Sequence, residues 1–126
     1  MKYITEIFLL LFLALTFIQS GYDKIVDWKG NVTWLKSHFA NTFLADKVPF
    51  SLGIILILEI IIGPLALAAI WFLVNGSKEA AVYTGIISCI TLLLLLYGQR
   101  VAKDYDGART IVIYFIPTIF LLFLLQ

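Results

Sequence analysis

The chain is 126 residues long, 62% hydrophobic and only 13% charged, with a mean hydropathy of +1.01. A soluble domain is about half apolar and about a quarter charged, so this composition describes an integral membrane protein, and the length holds a single membrane domain. A net charge of +1, with no block of like charges, leaves no basic field to recruit a nucleic acid.

Residues 4–20 form the first predicted span. Lys2, the apolar stretch and the small residues Ser20 and Gly21 imitate a secretion signal. Ile18-Gln19-Ser20 is a poor small-x-small cleavage site, however, so the span is expected to stay in the protein. The long connection 21–49 carries a predicted helix over 31–44, opened by Asn31 as N-cap. Val32, Leu35, Phe39 and Phe43 fall on one stripe of it at helical spacing. Trp28, Trp34, Lys36 and Lys47 are residue types that sit at headgroup level. The segment therefore reads as an amphipathic interfacial helix, lying on the membrane or folded against the bundle. Its plainest role is that of a connector, its sharper one that of a lid or docking surface.

The second span is 50–73, followed by a tight turn at 74–79 with Asn75-Gly76. The third is 80–98, and a connection at 99–109 leads to the fourth, 110–125. A helix needs about 20 apolar residues to cross the hydrocarbon core. The middle two spans meet that, while the first and fourth are short and borrow flanking residues. Strand alternation is absent. The expected fold is all-α: a four-transmembrane-helix bundle with an interfacial helix between the first and second spans. Lys24, Lys29, Lys36, Lys47, Arg100, Lys103 and Arg109 fall in the first and third connections, against Lys2 and Lys78 on the other side. The positive-inside rule then places 21–49 and 99–109 in the cytoplasm.

Glu59 is the only charge in the second span. A charged group at that depth costs about 2.5–3.5 kcal/mol on insertion-based scales, and it usually faces a bundle interior, a cavity or a partner. Leu56, Glu59, Gly63 and Ala66 share a helical face, and small residues there allow close helix approach, so this face is expected to point inward. Gly63-Pro64 is expected to break the backbone ladder just beyond the charge. Candidate partners are Gln19 and Ser20 on the first helix, Thr84, Ser88 and Thr91 on the third, and Tyr114 and Thr118 on the fourth. Three roles stand open: interhelical glue through a protonated carboxyl, binding of a ligand such as a quinone headgroup, and proton transfer. Gln19 and Arg100, with Asp23, Lys24, Asp104 and Asp106 near them in sequence, read as a polar cap over one end of the bundle. A salt-bridge cluster tying loops together is its simplest explanation.

Several chemistries are excluded by residue count. One cysteine, Cys89, allows no internal disulfide exchange, and one histidine, His38, allows no bis-histidine haem. No Cys/His cluster can build a zinc, copper or iron–sulfur site. No Ser-His-Asp arrangement, P-loop or dinucleotide motif occurs.

Three segments carry a resemblance: Gln19-Ser20-Gly21-Tyr22-Asp23-Lys24-Ile25-Val26-Asp27, Glu59 with Gly63, and Gly98-Gln99-Arg100 through Asp106-Gly107-Ala108. In these the chain resembles the DoxX family of small four-helix membrane proteins. The first is similar to that family's small-Gly-x-x-Lys segment, the second to the acidic residue and following glycine of its second helix. The family's glycine pair reads Ile62-Gly63 here, followed by Pro64. The resemblance implies a bacterial inner-membrane protein linked to respiratory quinone enzymes, thiosulfate:quinone oxidoreductase among them. Two functions follow. One is a non-catalytic accessory subunit of a larger membrane complex. The other is a quinone-binding oxidoreductase subunit, with the headgroup at Glu59 or at the Gln19/Arg100 cap, and with its redox centre on a partner. A proton path through Glu59 is a third, but one charge makes no relay.

Overall fold

The computed structural model describes residues 2–126. It contains α1 (Ile4–Val26), α2 (Trp28–His38), a 3-10 turn at Ala45–Lys47, α3 (Val48–Val74), α4 (Glu79–Val101) and α5 (Tyr105–Leu125). Four of these segments are long and apolar enough to cross a bilayer. Around the bundle α1 packs on α3, α3 on α4 and α4 on α5, and α5 closes back on α1 across the sparsest seam of the ring. Short connections make α3, α4 and α5 successively antiparallel, and the longer connection through α2 returns the chain from α1 to α3. The α1 C-terminus, α2, the α3 N-terminus, the α4 C-terminus and the α5 N-terminus all gather at one end.

The core is built from Leu10, Leu13, Phe17, Ile62, Leu92 and Leu121, interleaved with Ala14, Ala66 and Ala69. The outer faces are as apolar as the inside: Phe8, Phe50, Ile57 and Phe123 are all exposed. In water such a surface would be a large sticky patch, whereas in lipid it is the ordinary solvent-facing side. Because lipid gives no hydrophobic drive between helices, the bundle depends on close approach. A Cβ on Gly63 would lie 2.5 Å from Ile18 Cγ1, and one on Gly85 2.8 Å from Leu122 Cδ2. These glycines let α3 meet α1 and α4 meet α5.

The two short spans do borrow flanking residues. α1 continues past residue 20 to Val26, and α5 begins at Tyr105 instead of 110. Little of the expected connection 99–109 is left outside helix. Its centre is a Schellman turn: the Asp104 amide donates to Gln99 O at 2.9 Å and the Lys103 amide to Arg100 O at 3.1 Å. Lys103 holds the left-handed position, φ 59°, that glycine usually takes. The side chain of Asp104 then caps α5 by accepting from the Gly107 amide at 2.9 Å.

Two expectations are corrected here. The helix in the first connection is α2, Trp28–His38, in place of 31–44. Asp27 is its cap, accepting from the Gly30 amide at 3.2 Å, and this starts the helix a turn before Asn31. Asn31 instead turns its amide back onto the Asp27 carbonyl at 2.8 Å. Val32, Leu35 and Phe39 lie half-buried against the bundle, but the helix has ended before Phe43, which is exposed. Second, α3 runs unbroken through Gly63-Pro64. Pro64 sits on the exposed side, so its ring points away from the faces packed against neighbouring helices.

Candidate functional site

The extension of α1 decides the site. Ser20 and Lys24 stand one turn apart on it, and side chains on a helix lean toward its N-terminus. Lys24 therefore reaches back into the bundle: its Nζ donates to Ser20 Oγ at 2.7 Å and lies 2.9 Å from Glu59 Oε1. The Lys24 side chain is 15% exposed and that of Glu59 only 2%. Gly21 lies across from Glu59, where an added Cβ would be 3.8 Å from Glu59 Cβ, so α1 and α3 are close at this level. The Glu59 carboxyl group thus faces the Lys24 amine rather than a threonine hydroxyl. Thr84, Thr91 and Thr118 give their hydroxyls to the carbonyls of Ala80, Ile87 and Tyr114, four residues back on their own helices. None of them is left for Glu59.

The pair is incompletely satisfied. Among the described residues, Glu59 Oε1 has Lys24 Nζ beside it but accepts no directed hydrogen bond, and Ser88 Oγ is likewise buried without a partner. Buried polar groups are bonded in the great majority of cases. Glu59 also forms part of the wall of a cavity of about 330 Å³. Thr16, Gln19, Ser20 and Asp23 of α1 line it together with Tyr114 of α5, and Leu92 and Leu95 of α4 complete it. Gln19 and Asp23 are exposed, so the cavity opens along the seam between α1 and α5. It combines the Glu59 carboxyl group, backed by Lys24, with a hydroxyl and amide at its rim and apolar walls.

Of the residues singled out from sequence, Glu59 and Gln19 line this cavity, and Lys24 reaches Glu59 and Ser20 in its wall. Arg100 does not. It is exposed, with its guanidinium 5.3 Å from the centroid of the Tyr105 ring. Gly63 is a packing position against Ile18, and Pro64 faces outward.

A second polar cluster was not foreseen. His38 Nε2 lies 3.1 Å from Gln99 Oε1 and 3.5 Å from Asp104 Oδ2, and its ring stacks on Trp34 with centroids 4.6 Å apart. It fastens the end of α2 to the α4–α5 junction. No local pattern announces a contact between residues so far apart in the chain.

Among the described residues no group of His, Cys, Asp or Glu is placed to hold a metal ion. Comparison of the chain with protein-family models, with curated proteins and with solved structures gives no match.

Proposed function

We propose that this chain is a non-catalytic accessory subunit of a larger membrane redox assembly and that it holds a quinone headgroup at the Glu59–Lys24 cavity. The observation that carries this reading is a buried, incompletely bonded carboxylate paired with Lys24 on the wall of a cavity between four spans. Pockets for small lipophilic ligands are mostly apolar, with a few convergent polar groups that fix orientation. A quinone carbonyl accepts hydrogen bonds, which the Tyr114 O–H and the Gln19 amide on the cavity wall can donate, while the Lys24 ammonium is directed at Ser20 and Glu59. A hydroquinone hydroxyl donates, and Glu59 can accept. The same wall thus suits both redox forms of such a headgroup. With one cysteine and one histidine, the chain's part is binding and orientation, and electrons come from a partner protein. The resemblance to the DoxX family points the same way, as does the seven-to-two division of basic residues, which favours a cytoplasmic position for the α2 end in a bacterial inner membrane.

The test is calorimetric titration of the purified chain in lipid nanodiscs with a short-chain benzoquinone. Saturable binding is expected, and Glu59→Leu should weaken it by roughly ten-fold or more, which corresponds to about 1.4 kcal/mol. Absence of saturable binding, or equal binding by a folded Glu59→Leu variant, overturns the reading.

A further inference from the structure

A second cavity, of about 260 Å³, lies beside the first, between α2, α3 and α4. Leu35 and Phe39 cover it from the α2 side, Leu52 and Ile55 form its α3 wall, and Leu94 and Leu95 its α4 wall. Its polar groups, Ser51 and Gln99 among them, are few, and the Gln99 carbonyl oxygen is already engaged by His38. Water entering such a space finds too few partners, and left empty its lining forfeits dispersion contacts. A hydrocarbon chain suits it.

Two placements say which chain. Ile54, Leu94 and Tyr97 are 40%, 46% and 59% exposed, so the mouth of the cleft faces the surrounding lipid. Leu95 lines both cavities, which places them on either side of one side chain. We propose that the cleft is the tail subsite for the isoprenoid chain of the quinone whose headgroup lies at Glu59, reached laterally from the bilayer and covered by α2. The inference rests on the headgroup reading but adds a separate set of residues.

The experiment compares a tailless benzoquinone with its decyl-chain analogue, each titrated into the wild-type chain and into Leu94→Trp in nanodiscs. Leu94 is at the exposed mouth, so tryptophan there fills the cleft without entering the core, and Ser51→Trp fills it from the α3 side as an independent check. Partitioning of the decyl chain into lipid is the same for every variant and cancels in the comparison. Both variants should weaken decyl-quinone binding by roughly ten-fold and leave tailless binding within about two-fold of wild type. A photoactivatable decyl tail should place its adducts on cleft residues. Unchanged decyl affinity in both folded variants overturns the tail subsite while tailless binding keeps the headgroup site. Loss of tailless binding in the wild type removes the headgroup reading itself. Cleft adducts from a photoactivatable phosphatidylcholine that decyl-quinone does not displace assign the cleft to lipid and overturn the proposal.

Discussion

Removing Lys24 isolates a carboxylate that is 2% exposed. At 2.9 Å, Coulomb's law with an effective dielectric constant of about 20 gives an attraction of about 6 kcal/mol. Most of this is offset by the cost of taking both charges out of water, so the pair's net worth is small. Deleting one partner, by contrast, leaves the other's cost uncompensated, and such deletions cost about 3–5 kcal/mol. Lys24→Met, which keeps the length of the side chain, is thus expected to destabilise the bundle by that amount. The double variant Lys24→Met/Glu59→Met removes both charges and should return to within about 1 kcal/mol of wild type. The assay is reversible unfolding in mixed micelles, with helix content followed as the fraction of SDS rises, for wild type, both single variants and the double. A non-additivity of about 2 kcal/mol or more is required. A cost under about 1 kcal/mol for Lys24→Met, or a double variant as unstable as the two singles summed, would refute the buried-pair account.

Gly63→Ala puts a methyl against Ile18 and should cost about 1–2 kcal/mol in the same assay, with Ile18→Ala restoring most of it; an unaffected Gly63→Ala would mean that the α1–α3 approach is looser than described. Lys103→Gly removes a left-handed strain of about 1–2 kcal/mol and adds an unfolded-state entropy cost of about 0.5–1. A net gain of up to about 1 kcal/mol is expected, and a loss would count against the Schellman turn. Single cysteines at Ser37 and Ser77 in a Cys89→Ser background should react from opposite sides with an impermeant maleimide; labelling of position 37 from outside the cell reverses the proposed orientation.

The four spans and the inward face of Glu59 were legible because hydropathy and small-residue spacing report directly on what faces lipid and what faces a neighbour. Lys24 was legible as a site residue but not as the partner of Glu59. The apolar window stops at residue 20, and only the continued helix, with a long side chain reaching backward along it, brings the ammonium to the carboxylate. Arg100 was drawn into the site because it is close in sequence to Asp104 and Asp106, yet the tight turn after α4 directs it onto Tyr105. The His38 cluster depends on that same turn. With lysine where glycine is usual, the sequence offers no sign that Gln99 and Asp104 end up side by side. The early start of α2 was missed because Asp27 and Asn31 are equally good caps, and only the structure shows that Asp27 holds the Gly30 amide.

Asp104 serves two neighbours with its two oxygens: Oδ1 accepts from the Gly107 amide, and Oδ2 faces His38 Nε2. A single side-chain rotamer meets both demands. A Cβ on Gly107 would lie 2.7 Å from Oδ2 and 2.6 Å from Gln99 Nε2, so one methyl there pushes on both of the histidine's partners. The first turn of α5 and the seat of α2 are therefore energetically coupled, and the coupling is reciprocal. Whatever lifts α2 removes one of the two contacts that hold the Asp104 rotamer, and whatever frays α5 removes the other. The exchange rate of the Gly107 amide proton is a gauge of α2's position, readable without any probe attached to α2 itself.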